Sequence, residues 1–154
     1  MRSLNRFLAV RKVVLGIRGK WLFVSKGIKV PNSVRISLSA RLMPGRRGAI
    51  TIGEHTLIAF KSLVIAESAD GKVRPISIGR NCFIGGGSVI LPGVTIGDNV
   101  IIGAGSVVFE DVPSRTIAAG NPAKVVREEI NVGLYGRLDY ADENQKKYWV
   151  KPTL

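Results

Sequence analysis

An aliphatic residue stands at every sixth position from Ile78 to Val108, without a slip. The six positions are Ile78, Ile84, Ile90, Ile96, Ile102 and Val108. Four residues after each comes a small or β-branched residue, so two inward-pointing side chains recur in every hexad, as on a short strand. Between these pairs lie residue types that tolerate a positive φ angle and so permit a corner, namely Asn81, Gly87, Gly93, Asn99, Gly105 and Asp111. One hexad cannot bury its own apolar side chains but stacked coils can, so the period predicts a parallel β-solenoid.

The same period continues toward the N-terminus with two interruptions. The aliphatic residues in phase are Val30, Ile36 and Leu42, and then Ile52, Ile58 and Val64. A stretch with Pro and Gly separates the two triplets, and the run from Val64 to Ile78 is longer than two hexads. We therefore expect a solenoid over 30–115 with loop excursions near 44–48 and 68–75.

The flanks of the solenoid differ from it in composition. Residues 1–29 are basic, and within 1–19 the apolar and basic residues form an amphipathic helical pattern. This segment is predicted to cap the first coil or to lie on a membrane surface. Residues 116–154 form a C-terminal extension, in which Asn121 and Pro122 are expected to make a turn and 125–132 a short helix.

The net charge of +12 arises at one end of the chain. Residues 1–47 hold 12 of the 23 Lys and Arg and none of the 11 Asp and Glu. Such a field attracts polyanions: a nucleotide-linked sugar, the anionic inner leaflet of a membrane, or nucleic acid. Nucleic acid is disfavoured because no nucleic-acid-binding motif is recognisable and few aromatics lie among the charges. A solvated basic face without a dedicated partner stays open as an alternative.

Length and cysteine content limit the class of protein further. A chain of 154 residues fits one domain with a core that needs neither metal nor disulfide. Cys82 is the only cysteine and points inward, so a reducing compartment is expected, and a role as nucleophile or metal ligand is not. No apolar run approaches the ~20 residues that cross a bilayer, and the N-terminus lacks a secretory core, which favours a cytoplasmic protein.

Two consecutive segments resemble a known family. The stretch IGRNCFIGGGSVILPGVTIGDNVIIGAGSVVFEDVP, followed by AAGNPAKVVRE, is similar to the signature of the hexapeptide-repeat acyltransferases, especially their maltose, galactoside and polysaccharide O-acetyltransferase branch. The likeness is specific from about residue 76 to residue 128 and weaker over 30–66. It implies an all-β fold, a left-handed parallel β-helix of triangular section with three hexads per coil, and a homotrimer. The hexad period alone does not encode the hand.

Three hexads per coil place the outward residues in columns. Phe83 then lies beneath Ile101, and Val89 beneath Val107, whereas Thr95 points outward from the third face. Two of the three outer faces thus carry apolar columns that a monomer would expose to water. These two faces are predicted to contact other subunits in a three-fold oligomer.

The resemblance also implies a donor site. In the family an acyl-CoA lies in the groove between adjacent subunits, and its acyl group passes directly to a sugar hydroxyl or amine. The matching positions here are Gly86, Gly103, Ala104, Gly105, Phe109 and Glu110 along the pantetheine arm, and Lys124 and Arg127 at the phosphates. Acetyl-CoA is the expected co-substrate. The alternative is structural, with the glycines serving only corners and Lys124 an ordinary surface charge.

The general base is where the chain departs from the family pattern. The family's loop histidine aligns with Ala69, and the excursion contains no histidine. His55, the only histidine, stands at a corner where the family often has Asn, and it is either the base, facing a cleft in the trimer, or a turn residue. Glu67 and Asp70 are the other candidates, although a carboxylate needs burial to become an effective base. No metal is expected, since one histidine cannot form the three-histidine zinc site of the carbonic anhydrases with this fold.

These features favour a cytoplasmic, acetyl-CoA-dependent acetyltransferase acting on a sugar or nucleotide-linked sugar in surface polysaccharide biosynthesis. The missing loop histidine supports an alternative, a non-catalytic hexapeptide protein that binds CoA or a partner. A third hypothesis is a peripheral protein of the inner membrane face that acts through residues 1–19.

Overall fold

The structure is a computed structural model that describes residues 26–138. The predictions for the amphipathic segment 1–19 and for the end of the C-terminal extension, 139–154, lie outside the described residues.

The described chain forms thirteen short strands and one 3₁₀ helix, Leu134–Gly136. The strands are β1 Arg35–Ile36, β2 Arg41–Met43, β3 Ile50–Ile52, β4 Leu57–Ile58, β5 Leu63–Ile65, β6 Ile76–Ile78, β7 Phe83–Ile84, β8 Val89–Ile90, β9 Thr95–Ile96, β10 Ile101–Ile102, β11 Val107–Val108, β12 Ile117–Gly120 and β13 Ala123–Arg127. Nothing helical within 26–138 is long and apolar enough to cross a bilayer.

Three sheets form the faces of a prism, and the chain visits them in turn. Sheet A has the order β1-β4-β7-β10-β12-β13, sheet B the order β2-β5-β8-β11, and sheet C the order β3-β6-β9. All neighbours are parallel except β12 and β13. The predicted parallel solenoid is therefore confirmed. We name its edges the AB corner (37–40, 59–62, 85–88, 103–106), the BC corner (44–49, 66–75, 91–94, 109–111) and the CA corner (53–56, 79–82, 97–100, 113–116).

The hexad aliphatics fill the interior, as the period predicts. Ile78, Ile84, Ile90, Ile96, Ile102 and Val108 are each no more than 2% exposed. Burying each such side chain contributes about 1.5–3 kcal/mol before the entropy of ordering the chain is subtracted. Buried hydroxyls find partners at the corners: Ser88 Oγ and Ser106 Oγ both donate to the carbonyl of Gly103, at 2.9 and 2.7 Å. Outward residues stack as expected, with Phe83 beside Ile101 and Val89 beside Val107.

The corners adopt the left-handed backbone conformation at five of the six predicted positions. Asn81, Gly87, Gly93, Asn99 and Gly105 have φ between 53° and 88°. Asp111 does not, and its carboxylate accepts the backbone N–H of Thr95 at 2.6 Å.

Both loop excursions lie at the BC corner, stacked on each other. The second forms a small hairpin, which we call the 67–73 hairpin, closed by an antiparallel bridge between Glu67 and Val73. The 44–48 loop lies against it: a Cβ on Gly45 would come within 2.7 Å of the Val73 side chain. The two loops therefore support each other.

The end of the described chain differs from the prediction. The helix predicted over 125–132 is wrong: Ala123–Arg127 is strand β13, which hydrogen-bonds antiparallel to β12 after the predicted turn at Asn121 and Pro122. An open sheet edge offers unpaired backbone groups, and pairing there outweighs a weak helical preference. The chain then returns along the CA corner, where Ile130 N–H donates to the carbonyl of Arg115 and Tyr135 N–H to that of His55.

Candidate functional site

The AB corner carries small residues in a stack that leaves backbone groups available. Gly86 lies directly below Ala104, and Gly105 N–H donates to the Gly86 carbonyl at 2.9 Å. The backbone N–H groups of Gly86 and Ala104 donate to no other residue within 26–138. Ala104 is exposed and Gly86 half-buried. Two unpaired N–H groups one coil apart are suited to donate hydrogen bonds to the carbonyl oxygens of an extended ligand.

Phe60 lies immediately below this stack. A Cβ on Gly86 would stand 2.7 Å from Phe60 Cζ, so the ring rests directly on the glycine. Phe60 is 62% exposed. Phenylalanine is usually buried, so this exposure is typical of a side chain that a partner or ligand covers. Phe60 thus closes the lower end of the small-residue stack.

Of the other sequence-predicted donor residues, the structure brings Lys124 to the upper end of the stack and places the rest around it at greater distance. Phe109 and Glu110 lie at the BC corner, both exposed, and Lys124 Nζ stands 3.4 Å from Glu110 Oε2. Lys124 is paired with Ala119 on β12, and a Cβ on Gly103 would touch Ala119 at 2.9 Å. The structure therefore brings Lys124 to the AB stack. Arg127 pairs with Ile117 at the opposite end of the strand, about 10 Å from Lys124.

His55 is held at the CA corner by its backbone and its ring. It adopts φ 54°, its N–H donates to Ser33 Oγ at 3.2 Å, and its carbonyl accepts Tyr135 N–H at 2.9 Å. The imidazole meets the Tyr135 ring edge-on with 6.3 Å between centroids, and the Arg35 guanidinium lies 4.2 Å above that ring. His55 is half-buried beneath the returning chain.

The two carboxylate candidates sit in the 67–73 hairpin. Asp70 accepts the Lys72 N–H at 3.0 Å and pairs with Arg74 Nη2 at 2.9 Å. The Lys72 hydrogen bond, aided by the Arg74 charge, holds the pKa of Asp70 below its usual value, which weakens it as a base. Glu67 is exposed beside Gly45 and carries no ion pair among those formed within 26–138.

One chain places the candidates at three different corners. The small-residue stack lies at the AB corner, Glu67 and Asp70 at the BC corner and His55 at the CA corner. Adjacent corners are separated by a strand of two or three residues and its flanks, about 10 Å. Within one chain, therefore, no candidate base lies beside the stack, whereas corners of adjacent subunits can meet in an oligomer.

Cys82 is excluded as a nucleophile by its surroundings. Its side chain is fully buried, with Sγ 3.1 Å from the Gly97 carbonyl, and burial raises the pKa of the thiol to about 11. Within 26–138, no three His, Cys, Asp or Glu side chains are arranged to hold a metal ion.

Sequence reasoning missed two contacts that shape these sites. Tyr135 packs over His55, from which it is 80 positions distant, so no local sequence pattern indicates this contact. Phe60 did carry a signal, since it occupies the corner position that Gly86 and Ala104 occupy in the next coils.

A triangular β-helix with a small-residue corner beneath a cationic strand defines the class as a hexapeptide-repeat protein. Residues 75–110 match the family described as bacterial transferase hexapeptide (six repeats). Protein CapG of Staphylococcus aureus is 39% identical over 143 residues, which cover 80% of this chain and 82% of CapG. The chain belongs to this hexapeptide-repeat transferase family.

Two further similarities bear on fold and activity. WcaF of Escherichia coli (strain K12), named as a colanic acid biosynthesis acetyltransferase, is 40% identical over 90 residues, which cover 54% of this chain and about half of WcaF (50%). The hexapeptide-repeat acetyltransferase VCA0836 of Vibrio cholerae superposes with a TM-score of 0.56 at 30% identity, covering 68% of this chain and 67% of VCA0836. The predicted left-handed β-helix is thereby confirmed. VCA0836 has also been solved in complex with acetyl coenzyme A.

Proposed function

We propose that this protein transfers an acetyl group from acetyl-CoA to a hydroxyl or amine of a sugar during surface polysaccharide biosynthesis. The observation that carries the proposal is the AB corner, where the unpaired N–H groups of Gly86 and Ala104 lie below Lys124. The same proposal is supported by family membership, by the acetyl-CoA complex of VCA0836 and by the name of WcaF.

The dimensions of the corner suit a pantetheine arm. From β13, which carries Lys124, down to β7, which precedes Gly86, there are three strand spacings, or about 14 Å. The arm between diphosphate and sulfur has about twelve bonds, as many as roughly four extended residues, or ~14 Å. With its phosphates at Lys124, CoA would bring the sulfur level with Gly86. The Gly86 N–H then lies where the thioester oxyanion develops.

We further propose a homotrimer whose active sites lie between subunits. Sheets A and B expose the apolar columns of Phe83 with Ile101 and Val89 with Val107, whereas sheet C presents Thr51, Ser77 and Thr95. An apolar face that is half-exposed in one chain is suited to pack against a second copy of that chain. Packing two such prisms brings a corner of one against a face of the next.

In this arrangement His55 or Glu67 from a neighbouring subunit serves as the general base. The base takes the proton of the acceptor as its oxygen or nitrogen attacks the thioester carbonyl. The carbon–sulfur bond then breaks, and CoA leaves as the thiol after protonation. Asp70 is the weaker candidate because its carboxylate is engaged by Arg74.

Acetyl transfer from acetyl-CoA to a panel of nucleotide-linked sugars tests the proposal, with free thiol as the readout. His55→Ala is expected to lower kcat by about 10²–10⁴-fold if His55 is the base. Glu67→Gln is the matched variant for the competing assignment, and Asp70→Asn should have little effect. Unchanged kcat in both His55→Ala and Glu67→Gln would remove both candidates.

A second function is favoured by the hairpin itself. Ala69 stands where the family places a histidine, and Asp70 beside it is ion-paired. This loop fits a protein that binds CoA or a partner but does not catalyse acetyl transfer. Equilibrium binding of CoA without release of thiol for any acceptor would favour this reading over catalysis.

The cellular setting is also a proposal. Acetyl-CoA is available in the cytoplasm, and the surplus of basic residues over 1–47 suits attachment to the anionic inner face of the membrane. Sedimentation with phosphatidylglycerol vesicles, with and without residues 1–19, tests the attachment. Equal sedimentation of both chains would argue against it.

A further inference from the structure

A groove opens at the lower end of the AB corner, below Phe60. It has a volume of about 560 Å³ and is lined by Leu38, Ser39, Arg41, Lys61, Ser62 and Leu63. It lies between the first two coils, since Arg41 is paired with Leu63 on adjacent strands of sheet B. The small-residue stack of Ala104 and Gly86 leads down to Phe60 and then to this groove.

The groove is cationic, and no described carboxylate neutralises it. Arg41 and Lys61 are both exposed, and neither takes part in the ion pairs formed within 26–138. The acidic side chains lie elsewhere on the prism, at the CA corner, at the BC corner and beyond β13: Glu54, Asp98, Glu67, Asp70, Glu110, Asp111, Glu128 and Glu129. Two unneutralised cations beside a concave surface attract an anion.

The backbone at Lys61 adds a second, independent observation. Lys61 has φ 55°, and the equivalent positions of the next two coils are Gly87 and Gly105, with φ 71° and 70°. A lysine is strained in this conformation, whereas glycine is not. Ser39 Oγ accepts the Lys61 N–H at 3.1 Å and holds the corner in place. At this corner the chain therefore places a cationic side chain at the rim of the groove, where the next two coils have a glycine and no side chain.

We propose that Arg41 and Lys61 bind the diphosphate of the acceptor, so that the acceptor is a sugar linked through diphosphate to its carrier. This proposal rests on the proposed function, because it uses the position proposed there for CoA, with the phosphates at Lys124 and the sulfur level with Gly86. Arginine and lysine together suit two phosphoryl groups, and Leu38, which is 60% exposed, and Leu63 offer apolar walls to the rest of the ligand. The sugar then lies between the diphosphate and the Phe60 end of the stack, where the acyl group arrives.

Isothermal titration of the full chain at 0.15 M salt tests the site without requiring turnover. Three probes are used. Inorganic pyrophosphate contains only the diphosphate group, whereas UDP-glucose represents a nucleotide carrier and geranyl diphosphate a lipid carrier. Lys61→Gly and Arg41→Gln are each expected to weaken pyrophosphate binding about tenfold or more. The tighter of the two carrier probes identifies the carrier, and glucose alone should not bind.

Arg115→Gly is the matched control, because Arg115 is also an exposed cation at positive φ, 62°, but lies at the CA corner. It should change pyrophosphate affinity less than twofold, because charges separated by more than about 8 Å are largely screened at 0.15 M salt. Lys61→Gly relieves backbone strain, so its melting temperature should not fall, which separates lost binding from lost folding. A Lys61→Gly/Arg41→Gln double variant that binds pyrophosphate like the wild type would overturn the proposal. Loss of binding in these variants, in a protein that transfers no acetyl group, would leave the anion site standing and remove the proposed function alone.

Discussion

Two neighbouring glycines at the AB corner have different reasons to be glycine. A Cβ on Gly85 would lie 2.5 Å from the backbone N of Ala104, in the coil above. The three atoms nearest to a Cβ on Gly86 all belong to the ring of Phe60, an exposed side chain that can shift. Neither has the positive φ of Gly87, so space rather than backbone conformation sets the requirement.

We predict that Gly85→Ala and Gly86→Ala differ sharply in stability. Gly85→Ala forces two coils apart and should lower the free energy of unfolding by about 3 kcal/mol, whereas Gly86→Ala should cost less than ~1 kcal/mol. Urea unfolding at one fixed protein concentration measures both. Equal losses would mean that the Phe60 ring is not free to move.

At the scale of the element, the 67–73 hairpin is tied by one carboxylate. Asp70 joins the Lys72 N–H to the Arg74 guanidinium across the turn. Both partners favour the ionised form, and the pKa of Asp70 is therefore lowered from its ordinary value of 3.8. A group whose pKa is depressed on folding stabilises the fold above its unfolded pKa, and this contribution is lost as the pH falls through the folded pKa.

We predict that the Asp70 carboxyl titrates below 3.8 and that Arg74→Gln moves its pKa upward. The hairpin should consequently loosen only at pH values below about 3.8, the range between the unfolded and the folded pKa. Carbon-detected NMR titration of the side-chain carboxyl measures the shift, with Lys124→Gln as a control at a distant ion pair. A pKa at or above 3.8 in the wild type would contradict the hairpin geometry and return Asp70 to the list of candidate bases.

The elements that sequence predicts well are those fixed by local periodicity. Hexad aliphatics such as Ile90 and Ile102 specify strand, corner and burial together, because every coil repeats the same contacts. The loop excursions followed from broken phase at 44–48 and 67–75. Strand β13 and the cover of Tyr135 over His55 did not, because both depend on contacts between distant segments. The coil repeat predicted that Gly86 and Ala104 share a corner, whereas it could not identify the general base, because the candidate bases lie at other corners.

For the whole molecule, the three outer faces are unequal. Sheet C presents a hydroxyl column in which Thr51 Oγ1 donates to Ser77 Oγ at 3.3 Å, and water is an adequate neighbour for it. Sheet B presents Leu63, Val89 and Val107, with the exposed Phe60 and Phe109 at its two edges. Sheet A is covered at one edge by the chain itself, since Gly136 packs against Phe83. Sheet B is thus the larger open apolar face.

We predict that the protein is a trimer and that a charge at the centre of sheet B dissociates it. Val89→Arg would bury an unpaired guanidinium in each interface, at a cost of about 3–5 kcal/mol. Thr95→Arg, on the polar sheet C, is the matched control and should leave the trimer intact. Light scattering on a sizing column gives the mass, expected at three chains for the wild type and Thr95→Arg and at one for Val89→Arg. Acetyl transfer should disappear with the trimer, because the proposed site takes its donor corner and its base from different subunits. A trimeric Val89→Arg protein would show that the centre of sheet B is not buried between subunits and would contradict the prediction.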